Sequence, residues 1–349
     1  MNRKLFRLIF GLLIFSLLSC QKETVQKQIL FEAEDTLQSC SFRGSAMGEK
    51  HILLSGSYGV VYKYNFQNKS WIKIENPEFD SLDFRDVEIL NENDWVLMSS
   101  GNGKESVVFR TKDAGKAWEK TFENKYDQAF FNGMDFWTGM QGVIISDPID
   151  EKAYMLKTDD GGMTWNRLAN DQIPILEKGE YGFAASGSGI QTFGEGYLRI
   201  ATGGDIARIF SSNDYGENWE IQNLPIVQGV NSKGIYSIDY YNENLALAAG
   251  GDWMIDSLKG NNLVKTENGF EWNSPVGSMD LGFISCVKFL TMEIVLATGT
   301  YGTAVSYDSG NTWEYRSQLD GYHTIAFNTK SGRGILAGGK GRVRIFNLK

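Results

Sequence analysis

Two arginines, Arg43 and Arg85, each follow a phenylalanine at the start of a short apolar alternation, as Phe42-Arg43 and Phe84-Arg85. The equivalent slot later in the chain is polar again: Asn132 after Phe131, Tyr236 after Ile235, and His323 after Tyr322. A fold that repeats this feature would bring those side chains together. Two permanent cations beside a titratable imidazole would then grip an anionic group, because a guanidinium matches a carboxylate in charge and geometry. Tyr236 and Asn132 would complete the rim with an amphipathic ring and an amide. Three aspartates, Asp147, Asp205 and Asp252, close the runs that end in Ser146, Gly204 and Gly251. Two of them about 5–9.5 Å apart could share the hydrolysis of a glycosidic bond. Each could equally cap its own glycine-rich turn, the commoner use of aspartate there.

The elements that must position these residues are repeats. Ser306-Tyr307-Asp308-Ser309-Gly310-Asn311-Thr312-Trp313 reads S-x-D-x-G-x-T-W. The aspartate can accept loop N–H groups, the glycine supplies a positive φ, and the tryptophan starts the returning strand. The pattern recurs around Asp113, Asp160 and Asp214, and in weaker form at Thr266-Asn268-Gly269-Trp272 and Tyr64-Asn68-Ser70-Trp71. These turn aspartates are expected to be structural. Intervals of roughly 40–55 residues fall in the range of propeller blades. The units resemble Asp-box (BNR) repeats, which implies an all-β, seven-bladed propeller. Seven first strands are expected, beginning at Phe42, Phe84, Phe131, Phe183, Ile235, Phe283 and Tyr322. These strands would line a central channel, placing Ala184 in the slot of Arg43. The seventh unit stops at Lys349 without its fourth strand, and Ile29-Leu30-Phe31 is a strand with no local partner. The second can supply the first and close the ring.

Composition narrows the function. The formal net charge of −9 disfavours nucleic acid, whose phosphates require a basic face. Two histidines and no CxxC spacing give no metal site, and no cofactor motif is present. Cys40 and Cys286 read as buried small apolar residues in equivalent strands, not as a disulfide. At the N-terminus, a basic start, an apolar run from Leu8 to Leu18 and Leu17-Leu18-Ser19-Cys20 resemble a bacterial lipoprotein signal. Residues 1–19 would be removed, Cys20 would carry the lipid, 20–27 would be a tether, and 28–349 one propeller domain.

Ser41-Phe42-Arg43, Leu82-Asp83-Phe84-Arg85-Asp86, Ser146-Asp147-Pro148, Phe183-Ala184-Ala185-Ser186-Gly187, Gly250-Gly251-Asp252 and Gly321-Tyr322-His323 are similar to segments of photosystem II stability/assembly factor-like proteins. That resemblance implies a scaffold that holds another protein, without carrying over the photosynthetic role. The expectation is a monomeric, lipid-anchored envelope protein. It would bind an envelope protein, or a small anionic ligand or glycan, at the channel mouth through Arg43, Arg85, Asn132, Tyr236, His323, Asp147, Asp205 and Asp252. The alternative is a carbohydrate-active hydrolase at the same mouth. A sialidase is disfavoured because an arginine triad and an Arg-Ile-Pro motif are missing.

Overall fold

The computed structural model describes residues 27–169, 172–275 and 281–349. The expected signal segment, Cys20 and all but the last residue of the expected 20–27 tether lie outside them. Seven antiparallel sheets succeed one another along the chain and form the seven blades. Their inner strands are Phe42–Met47, Phe84–Ile89, Phe131–Phe136, Ile190–Phe193, Lys233–Tyr240, Ile284–Phe289 and Tyr322–Asn328.

Burial follows from where each strand sits. In Phe42–Met47, residues Phe42, Gly44 and Ala46 are buried while Arg43, Ser45 and Met47 are half-buried. One face packs on the blade and the other looks into the channel, as the two-residue period of a strand requires. The second strand Trp95–Ser99 is buried at every position, since blades cover both of its faces. The apolar cores therefore lie between blades. One of them joins Leu53, Val61 and Ile74 of the first blade to Val87, Trp95 and Leu97 of the second.

Polar side chains tie most inner strands to a neighbouring one. Asp86 accepts the Met134 amide at 2.8 Å, Asp135 the Thr192 amide at 2.6 Å, and Asp239 the Phe289 amide at 2.6 Å. Gln191 accepts the Tyr240 amide, and Ser45 and Thr324 share a bond between the first and last blades. The four carboxylate and amide ties each satisfy a backbone donor that the channel would otherwise leave bare.

The recurrent turns behave as a unit. Asp160 accepts the Met163 and Thr164 amides at 2.9 Å, and the hydroxyls of Thr158 and Thr164 at 2.8 and 2.6 Å. Asp113, Asp214 and Asp308 accept the equivalent amides of Ala117, Asn218 and Thr312, and Asn268 takes the role in the fifth blade. The glycine of each turn has φ between 79° and 88°, where a side chain would be strained. In the first blade, Asn65 replaces the aspartate by accepting the Gln67 and Asn68 amides.

The seventh blade takes its outer strand from Ile29–Phe31, paired with Phe346 to Leu348. The rings of Phe31 and Phe346 pack 5.7 Å apart, which seals that edge.

Three expectations need correction. The fourth inner strand is Ile190–Phe193, not a strand from Phe183. Residues 177–189 instead cross towards the channel, with Glu180–Tyr181 paired to Gly203–Gly204. Gly187, at φ 73°, turns the chain against Asp86, and any β-carbon there would meet the Asp86 carboxylate. Second, Cys40 and Cys286 are buried free thiols, but Cys40 precedes its strand whereas Cys286 lies inside one. Third, the outer edge of the fifth blade is a single bridge, Lys265 to Asn273, rather than a strand.

Candidate binding site at the channel mouth

The inner strands begin at one end of the channel, and a cavity of about 490 Å³ opens there. Arg43, Arg85, Asn132, Asp147, Tyr236 and His323 all line it. Asp205 and Asp252 do not. Asp252 is 3% exposed, and its carboxylate accepts the Met254 and Ile255 amides at 3.0 and 3.3 Å, so the turn consumes it. Asp205 lies outside the cavity, in a hairpin packed against Gly179. Asp147 is thus the one carboxylate lining the cavity among the described residues. The paired carboxylates that a glycosidase needs are not assembled there.

The two arginines are held alike but end up different. Arg85 donates to Asp83 through Nε at 2.9 Å and Nη2 at 2.6 Å, and to the Ala184 carbonyl at 2.7 Å. Arg43 donates through Nε to the Ser41 hydroxyl at 3.2 Å, and through Nη1 to the Ala185 carbonyl at 3.4 Å. Ser41 and Asp83 occupy the same position, two residues before each arginine and on the same side of the strand. The second blade supplies a counter-ion there and the first supplies a neutral hydroxyl. Burial and then the charge of Arg85, opposed by Asp83, together bring the Arg43 guanidinium down to about 10. It stays fully charged at neutral pH, and among the described residues no carboxylate forms an ion pair with it.

His323 is not the third cation that the sequence suggests. Burial, then the charges of Arg43, Arg85 and Arg342, push its imidazole down to about 3. It remains neutral at physiological pH, with Nδ1 buried and unpartnered. Asn132 donates to Asp147 at 2.9 Å. Burial raises the Asp147 carboxyl to about 6, against the lowering effect of the Asn132 bond. Tyr236 presents its ring rather than its hydroxyl, which is spent on the Ser232 carbonyl at 2.8 Å. That ring stacks on Phe183 at 3.9 Å and meets Phe283 edge-on at 4.7 Å.

Much of this was invisible in the linear chain. The carbonyls of Ala184 and Ala185 serve the arginines because residues 177–189 are a loop. That loop is pinned by Glu180, 1% exposed, which accepts Arg208 Nε at 2.9 Å, Arg208 Nη2, and the Thr202 hydroxyl at 2.5 Å. Phe183, Phe283 and Trp253 form an aromatic side of the cavity that the residue slots did not indicate. Of the two aspartates flanking Arg85, Asp83 pairs with it, whereas Asp86 turns to the Met134 and Val87 amides. No group of three or more His, Cys, Asp or Glu among the described residues could hold a metal ion.

Neither a protein-family model nor a curated protein sequence matches the chain. Among solved structures, it is similar to YCF48 bound to D1 peptide, with TM-score 0.65 and 13% identity over 93% of this chain and 97% of that one. YCF48 from Cyanidioschyzon merolae gives TM-score 0.64 and 16% identity, covering 90% and 99%. The WD40 repeats of RRP9 give 0.59 and 11%, covering 92% and 100%. At such identities the likeness establishes the seven-bladed propeller fold alone.

Proposed function

We propose that this propeller is a non-catalytic scaffold that holds a partner protein at the channel mouth through an anionic group on the partner. The observation that carries the reading is Arg43: a half-buried guanidinium without a carboxylate partner among the described residues, facing a cavity in a chain of net charge −9. A cation kept unpaired in an acidic molecule costs stability, and an incoming anion relieves that cost. A propeller of similar fold has been solved with a peptide, which supports a polypeptide as partner. With a lipid on Cys20, the scaffold would work at the surface of a bacterial envelope membrane.

The molecule offers its own control. Ser41→Asp copies into the first blade the pairing that Asp83 and Arg85 already make in the second. A photo-crosslinking residue at Thr300, on the mouth, should capture a specific envelope protein in cells. Ser41→Asp should abolish that capture while leaving the melting temperature unchanged or raised. Equal capture by the Ser41→Asp protein, or by a crosslinker at Asn311 on the opposite face, would overturn the proposal.

A further inference from the structure

The mouth is divided by chemistry. Blades seven, one and two contribute the cationic arc, centred on Arg43 and Arg85. Facing it, Phe183, Tyr236, Phe283 and Trp253 form an apolar arc from the fourth to sixth blades. The arginines reach across to the carbonyls just after Phe183, so cation and ring are neighbours. Phe183 is partly buried and Trp253 is 56% exposed, leaving ring surface that the protein does not cover. Beyond Trp253, Met254 and Ile255 are 67% and 55% exposed, an apolar strip that leads outward from the cavity. An exposed apolar strip continuous with a pocket marks a binding surface.

We infer that the mouth receives the C-terminal end of a polypeptide whose last side chain is large and apolar, an inference that rests on the scaffold reading above. The terminal carboxylate meets Arg43, and the last side chain packs between the Phe183–Tyr236 stack and Trp253. Preceding residues leave across Met254 and Ile255. The volume of about 490 Å³ admits one or two residues, not a folded surface. A phosphate dianion would meet the Asp147 carboxylate on the third side of the cavity. A single negative charge joined to an apolar body fits all three sides.

Fluorescence polarisation with the purified propeller tests this, using a fluorescein-labelled Gly-Ser-Gly-Ser-Phe peptide as free acid. Its C-terminal amide and the same peptide ending in Ala are the comparisons. The free acid ending in Phe should bind about tenfold tighter than either. Trp253→Ala, at an exposed position, should bring the Phe peptide close to the Ala peptide without altering the melting temperature. Ser41→Asp should weaken the acid and not the amide. Equal binding of acid and amide, equal binding of Phe and Ala endings, or no saturable binding would each overturn the inference. If it falls while capture in cells still depends on Ser41, the scaffold reading survives alone. If capture is indifferent to Ser41→Asp, both fall.

Discussion

Removing Glu180 tests whether the mouth is held by the buried pair that pins its loop. Glu180→Ala deletes the acceptor for two Arg208 donors, the Thr202 hydroxyl and the Glu177 amide at 2.8 Å. The Arg208 side chain is only 9% exposed, and its remaining contacts are poor. The Ile175 carbonyl is 3.4 Å away and the exposed Glu177 carboxylate 3.9 Å. Breaking a buried pair on one side costs about 3–5 kcal/mol, because the surviving charge is left without compensation. Glu177 can swing inward and recover part, so about 3 kcal/mol is expected. That is a large share of the about 5–15 kcal/mol that holds a domain folded. Urea denaturation followed by tryptophan fluorescence reads it directly. Peptide binding per folded molecule should also weaken, since the Ala184 and Ala185 carbonyls lose their support. The double variant Glu180→Leu with Arg208→Met removes both charges and should recover most of the stability. A loss below about 1 kcal/mol for Glu180→Ala, or a double variant no better than the single, would refute the reasoning.

The remaining predictions address the mouth, the turns, the ring and the anchor. Asp147 holds its proton more tightly folded than unfolded, so wild-type stability falls as pH rises from about 4 through about 6. Asp147→Asn should fall less steeply than wild type across that window, where buried Asp86 and Asp135 still titrate, and should be more stable by about 1–2 kcal/mol at pH 7.5, measured by melting at a series of pH values. Asp308→Ala leaves the Thr312 amide and two hydroxyls without their acceptor. It should cost about 1–3 kcal/mol in urea while peptide binding persists, and lost binding with stability intact would move the site to that face. Deleting residues 28 to 33 unpairs the edge of the seventh blade. Aggregation or a clear fall in melting temperature should follow, and an unaltered melt would show that the strand is dispensable. Cys20→Ser should release the protein from detergent-phase partitioning, and unchanged partitioning would remove the proposed anchor.

What the sequence determined is what short-range chemistry determines. Asp308, Gly310 and Thr312 specify a turn through bonds spanning four residues. Such units announce themselves wherever they recur, and their number and the alternation between them imply seven blades. The convergence of Arg43, Arg85 and His323 was also legible, because equivalent strand positions in a closed ring must face one channel. Tertiary structure alone decided how those residues are charged and what surrounds them. Arg85 is neutralised and Arg43 is not, a difference set by one residue, Asp83 against Ser41, and felt only when both strands share the channel. His323 loses its proton because burial, and then two arginines from other blades, act on it together. Phe183 looked like a strand opener but sits in a loop, since the pairing of Glu180 with Arg208 across 28 positions overrides local pattern. Asp205 and Asp252 shared a sequence signature with Asp147, yet only Asp147 faces the cavity. The direction of a side chain leaving a turn depends on which backbone amides it can reach, and the folded loop fixes those.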